Sequence, residues 1–246
     1  MRTVPAKPRR QALCAALLVV AVTGASADST AVQLWPEVEV YRQLGDRSRL
    51  LVTTAAIGDT QGEGGGVASF TEAQFTINFD YTLAPPGRRD VPEAEWSKNR
   101  LLWGRIGIVY DTSGNSGDDA YRAKTVLLSL NWRYPLREDI WLRSRARADL
   151  RNINGEPSQR YRLQAGAEWE ASAFDRPLAP YAEVEFYYDT RYDKWNRATL
   201  KTGAETQLGP HWRLEPYIAL QLDKPRDETT RVLGLGLVLK YYFPAD

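Results

Sequence analysis

The strongest constraint on this chain is an alternation of apolar and polar side chains that recurs along most of its length. From Leu233 to Phe243 one face carries Leu233, Leu235, Leu237, Leu239, Tyr241 and Phe243, and the other carries Gly234, Gly236, Val238, Lys240 and Tyr242. Successive side chains of an extended strand point to opposite faces, so a period of two spells a strand with one apolar side. Glu72, Gln74, Thr76, Asn78 and Asp80 alternate in the same way with Ala73, Phe75, Ile77, Phe79 and Tyr81. Val126, Leu128, Leu130, Trp132 and Tyr134 oppose Thr125, Ser129, Asn131 and Arg133, while Ile140, Leu142, Ala146, Ala148 and Leu150 oppose Arg143, Arg145, Arg147, Asp149 and Arg151. Tyr161, Leu163, Ala165, Ala167 and Trp169 oppose Arg160, Arg162, Gln164, Glu168 and Glu170; Ala182, Val184, Phe186 and Tyr188 oppose Glu183, Glu185, Tyr187 and Asp189.

Residues 35–44, 48–57, 99–111, 196–208 and 212–223 supply further strands, each of about the 9–11 residues that cross a bilayer at a tilt. A soluble sandwich also uses half-apolar strands, but it rarely repeats them so widely with aromatic side chains gathered at the ends. No sustained helical period and no long apolar run follows residue 27, and the mean hydropathy of −0.46 is that of a soluble protein. A transmembrane barrel has the same average, because lipid-facing apolar and lumen-facing polar residues alternate. The predicted fold is therefore all-β, a single up-and-down antiparallel transmembrane β-barrel over residues 28–246. Eleven strands are countable. Bacterial single-chain barrels have an even number, so twelve are expected, with ten as the alternative and a missing strand sought within 83–98 or before Trp35.

The first residues carry Arg2, Lys7, Arg9 and Arg10, then an apolar run from Ala12 to Val22 and the triplet Ala25-Ser26-Ala27. This is the layout of a secretory signal peptide cleaved after Ala27, with a run too short for a permanent membrane helix. Those residues hold four of the 32 basic side chains and none of the 31 acidic ones, which leaves the mature chain near −3. Cys14, the only cysteine, leaves with them, and with it any disulfide or thiolate chemistry. The expected destination is the outer membrane of a Gram-negative cell.

Counting back from a periplasmic C-terminus places the short connections 135–139 and 209–211 inside. The Gly/Asp-rich connections 58–66, 112–121, 152–158 and 224–230 fall outside, the usual asymmetry of such barrels. Connection 83–98 is long and falls inside.

Two stretches carry a resemblance. Trp35-Pro36-Glu37-Val38-Glu39-Val40-Tyr41 followed by Asp46-Arg47-Ser48-Arg49-Leu50, and Phe186-Tyr187-Tyr188-Asp189-Thr190-Arg191-Tyr192-Asp193-Lys194-Trp195-Asn196-Arg197, resemble an outer-membrane barrel family catalogued as the domain of unknown function DUF2490. The final Leu-Gly-Leu strand is similar as well. The likeness extends over most of the mature chain and implies a barrel in the outer membrane; it brings no assigned activity. A last strand closing on Phe243 resembles the signal read by the barrel-assembly machinery, although Pro244 to Asp246 follow it.

The polar face is heavily charged. Arg143, Arg145, Arg147, Arg151, Arg160, Arg162, Arg197, Lys201 and Arg213 are assigned to the lumen, together with Glu168, Glu170, Glu183, Glu185, Glu205 and Glu215. Arginine facing lipid at the midplane would cost about 2–4 kcal/mol, which fixes the register. One expectation is a narrow porin-like channel in which the ladder on residues 143–151 draws small anions. The other is a non-conducting barrel whose opposite charges pair and fill a narrow interior.

A second candidate site is the external cluster Asp189, Arg191, Tyr192, Asp193, Lys194 and Trp195, where Arg191 and Lys194 suit lipopolysaccharide phosphates and Tyr192 and Trp195 suit an interface belt. Asp111, Asp118 and Asp119 offer carboxylates for a divalent cation without the spacing of a calcium loop. A lipid hydrolase ranks third, because it generally needs a serine activated by histidine and the single histidine, His211, falls in a periplasmic turn. Outer-membrane lipid and lipopolysaccharide are the expected partners. No cofactor, metal, nucleic acid or catalytic residue is expected.

Overall fold

The structure, a computed structural model, describes residues 29–60, 69–83, 100–113, 120–173, 176–224 and 228–244. The segment read as a signal peptide, most of the 83–98 connection, Asp118 and Asp119 lie outside the described residues. Among the described residues twelve strands form: β1 (Ser29–Gln43), β2 (Ser48–Asp59), β3 (Ser69–Thr82), β4 (Leu102–Ser113), β5 (Arg122–Pro135), β6 (Ile140–Ile153), β7 (Glu156–Trp169), β8 (Ala171–Ala173), β9 (Arg176–Asp189), β10 (Lys194–Gln207), β11 (Trp212–Asp223) and β12 (Thr230–Tyr242). Each hydrogen-bonds to its neighbours in chain order, except that β7 and β8 both pair with β9, and β12 returns to β1 to close a barrel.

Of the two places where the sequence suggests a missing strand, the stretch before Trp35 extends β1 back to Ser29 and 84–98 lies outside the described residues; the twelfth described strand is the short β8. Its three residues pair with β9 in the register that β7 already keeps, since Glu168 faces Tyr181 and Ala171 faces Leu178. β8 is thus the tip of β7, set apart at Glu170, whose amide instead donates to the Asp139 carbonyl at 2.7 Å. Eleven long strands close the wall. An odd number of strands in an up-and-down order leaves the first and last running the same way. The seam between β1 and β12 is accordingly parallel, from Ser29 opposite Thr230 to Tyr41 opposite Tyr242. All other pairings are antiparallel. β1 therefore begins at the end of the barrel opposite to that where β12 finishes.

The barrel is apolar outside and polar inside. Phe75, Ile77, Phe79, Ile106, Ile108, Val126, Leu128, Leu130, Leu163, Phe186, Ile218, Leu235 and Leu237 face outward and are exposed, whereas Thr76, Asn78, Asp80, Thr125, Asn131, Arg133, Glu183, Glu185 and Glu215 are buried within. So continuous an apolar surface is stable against lipid rather than water. Aromatic side chains cluster at both rims: Trp212, Tyr241 and Phe243 meet in tilted and edge-on contacts at one, with centroids 4.6 and 5.0 Å apart, and Tyr161, Tyr188 and Trp195 at the other, 6.4 and 5.8 Å apart. Rings that are apolar on the face and polar at the tip suit the level of the headgroups.

The connection read as a longer loop over 152–158 is a two-residue turn. Asn154 and Gly155 both take positive φ, 52° and 96°, so β6 runs on to Ile153 and β7 starts at Glu156. Positive φ at both central residues matches the twist of a hairpin, and Asn-Gly is the pair that adopts it most readily. The Asn152 side chain bridges the turn, accepting from the Gly155 amide at 2.9 Å. Gly155→Val is expected to lower the unfolding free energy by about 1–2 kcal/mol, the cost of left-handed backbone for a residue with a Cβ, measurable by urea titration of the refolded protein.

Candidate functional site: a charged, two-chambered lumen

The inward strand positions read from the sequence are inward in the structure except Glu170, which is exposed at the break between β7 and β8, and most of the charges meet partners that lie far away along the chain. At the rim where β12 ends, Asp80 is wholly buried beneath three guanidinium groups: Arg49 at 2.6 Å, Arg105 at 2.6 Å and Arg100 at 3.8 Å. Above it, Glu168 binds Arg133 at 2.8 Å and Arg143 at 3.2 Å, and Arg143 also reaches Glu183. Arg145 meets Glu185 at 2.8 Å, and the Tyr187 hydroxyl donates to the same carboxylate at 2.6 Å. On the neighbouring wall Lys240 lies 2.5 Å from Glu215, 2.8 Å from Glu205 and 3.8 Å from Glu39. Lys201 and the Tyr181 hydroxyl complete Glu215 at 3.0 and 2.5 Å, and Arg213 completes Glu205 at 2.5 Å.

These residues enclose a cavity of about 490 Å³. Its lining includes seven cations (Arg49, Arg105, Arg133, Arg143, Arg145, Lys201, Lys240) and seven carboxylates (Glu37, Glu39, Glu168, Glu183, Glu185, Glu205, Glu215), a balanced set. A second cavity of about 830 Å³ fills the half nearer the 190–193 turn. The two share Trp35, Glu37, Tyr187, Tyr217 and Gln221, so they meet at a waist carrying three aromatic side chains. Trp35 and Tyr217 stand 6.4 Å apart there. Tyr217 lies flat over Gly236, where a Cβ would come within 1.9 Å of its ring; β12 needs glycine on its inner face to admit the aromatic wall. Tyr187 is ringed by Arg162, Arg197 and Arg160, with guanidinium carbons 5.0, 5.5 and 5.9 Å from its centre, a favourable placement of cations over a π face.

The upper chamber is polarised. Arg147 and Arg162 share Asp149 at 2.5 and 2.8 Å, and Arg151, Arg191 and Arg160 share Asp189 at 2.8, 3.0 and 3.4 Å. Five guanidinium groups thus sit on two carboxylates, while Arg197 is matched by Asp223 at 2.5 Å. On β3 and β4, Glu72 and Asp111 line the same chamber and form no ion pair with any described residue. Neutral donors hold them: the Tyr121 hydroxyl for Glu72, and the Gln74 amide at 2.6 Å for Asp111.

The ladder expected to draw anions along its whole length is therefore largely compensated. Arg143 and Arg145 are bound in the balanced chamber, and on this part of the wall positive charge exceeds its immediate partners near Arg147, Arg151, Arg160 and Arg162. The external cluster divides. Asp189 is fully buried in the lumen and Arg191 folds onto it, so these two face inward and not toward lipopolysaccharide. Tyr192, Asp193 and Lys194 stay at the turn, with Asp193 accepting from the Tyr188 hydroxyl, and Trp195 is 55% exposed in the rim belt. Asp111 points into the barrel, not into a loop. His211 sits in the 208–211 turn with its ring against Tyr241, 6.2 Å between centroids. Sequence reading placed Glu72 and Asp80 on the inner face without recognising either as a site, since alternation reports a face and not a partner.

An apolar outer band, aromatic rims and a charged interior define the class: this is a closed β-barrel, a fold compatible with an outer-membrane protein. No known protein family matches the chain, and no curated protein is similar to it.

Proposed function

We propose that the chain is an exported outer-membrane barrel, akin to the DUF2490 family, whose lumen is a narrow passage for small polar solutes. The supporting observation is the pair of polar cavities that lie either side of a shared aromatic waist within the barrel. Anion attraction, in this reading, comes from the upper chamber, where guanidinium exceeds carboxylate locally, and not from the ladder as a whole. The end that carries the 44–47, 136–139 and 208–211 turns faces the periplasm, the final strand ending at Phe243 is presented to the assembly machinery, and the rim rings together with Lys194 contact lipid and lipopolysaccharide. The barrel is read as carrying no catalytic group. The ion-paired lower chamber favours a second reading, a non-conducting barrel with a structural role in the envelope.

Planar-bilayer recording of the refolded mature protein under a salt gradient separates the two. Discrete openings of small conductance with a modest anion preference are expected. A folded protein that stays silent at both polarities would leave the structural barrel.

A further inference from the structure

Seen from its charge alone, the upper chamber is unsuited to a simple anion or a simple cation. The arginines on β6, β7 and the 190–193 turn outnumber the carboxylates they touch by five to two. A free anion entering toward them must also pass Glu72 and Asp111, about three strands away round the wall. A free cation drawn to Glu72 and Asp111 meets the arginine excess. Arg147, Arg160 and Arg162 line the same cavity as Asp111, yet none of them closes on it. Beside the ion pairs it shares in kind with the lower chamber, this one keeps Glu72 and Asp111 apart from the arginines across a cavity of about 830 Å³, within the range of cavities that take small ligands.

We propose that the upper chamber is a binding site for small zwitterions: solutes whose carboxylate or phosphate lies on the Arg147–Arg162 wall while an ammonium group lies against Glu72 and Asp111. Guanidinium offers paired donors to a carboxylate or phosphate, and two carboxylates already oriented by Tyr121 and Gln74 receive an ammonium group without reorganising. The proposal rests on the lumen being open to solutes, as the passage reading requires, but it does not require that the barrel conduct.

The test is calorimetric binding to the refolded protein in detergent with three groups of probes: ω-amino acids of three to eight carbons, the matching fatty acids, and the matching alkylamines. The ω-amino acid whose length fits the chamber should bind at least about tenfold tighter than either single-charge analogue, the equivalent of one partly screened ion pair. In Glu72→Gln/Asp111→Asn that advantage should vanish and the fatty acid should bind more tightly than it does to the parent. The probe comparison on the unsubstituted protein needs no variant to fold. Hexanoate bound as tightly as any ω-amino acid would make the chamber an anion site, and no binding of any probe would make the charge separation purely structural; either result overturns the proposal. Bilayer conductance without probes decides the passage reading separately, so the two fail independently.

Discussion

Asp80→Asn is expected to lower the unfolding free energy by about 3–5 kcal/mol, the cost of removing one partner from a buried ionic cluster. The side chain is fully buried, and its two oxygens take Arg49 and Arg105 at 2.6 Å each, with Arg100 behind. Asparagine keeps the shape and removes the charge, leaving guanidinium groups of β2 and β4 facing each other with no anion between them. Urea unfolding of the refolded protein reads the loss. If the cluster acts as a unit, adding Arg105→Gln to Asp80→Asn should cost less than the sum of the two changes made separately. An Asp80→Asn midpoint equal to that of the parent would show that the cluster does not hold this rim together.

Ile108→Arg is expected to cost about 2–4 kcal/mol, the penalty for arginine on the lipid face at mid-membrane. Ile108 lies in the middle of β4, 65% exposed, between Ile77 on β3 and Val126 on β5. The same change at Tyr110, nearer the rim, should cost only about 0–1 kcal/mol, because the penalty falls away toward the interface. Lys124 already sits opposite Tyr110 on the outward face at that level. Equal costs at both positions, measured as the fraction folded in lipid vesicles across a urea series, would contradict a bilayer around this wall.

Much of this architecture is legible along the chain. The eleven long strands coincide with the eleven alternating segments, and the inner and outer faces of β3, β5, β6, β7, β9 and β12 are those read from period two. This information is local: each strand states which side meets lipid, and a charged residue on the wrong side is too costly to be ambiguous. The Asn154-Gly155 turn is legible too, in the hairpin preference of that pair, although the Gly/Asp character of the stretch around it spells a longer loop.

The sequence by itself determined the strands, their faces and the gathering of charge inside. Only the tertiary structure decided how the wall closes and which charges meet. Closure sets the last strand parallel to the first, a consequence of an odd number that no single strand displays. It also brings Arg143 to Glu183, Arg145 to Glu185, and Lys240 to Glu39, Glu205 and Glu215. Those pairings depend on the register between strands and on the curvature of the closed sheet, so a ladder that reads as a row of free positive charge becomes a balanced lower chamber. The separation of charge around Asp111 arises from the same geometry, because a carboxylate on β4 lies beyond the reach of arginines that the closed barrel places across the lumen.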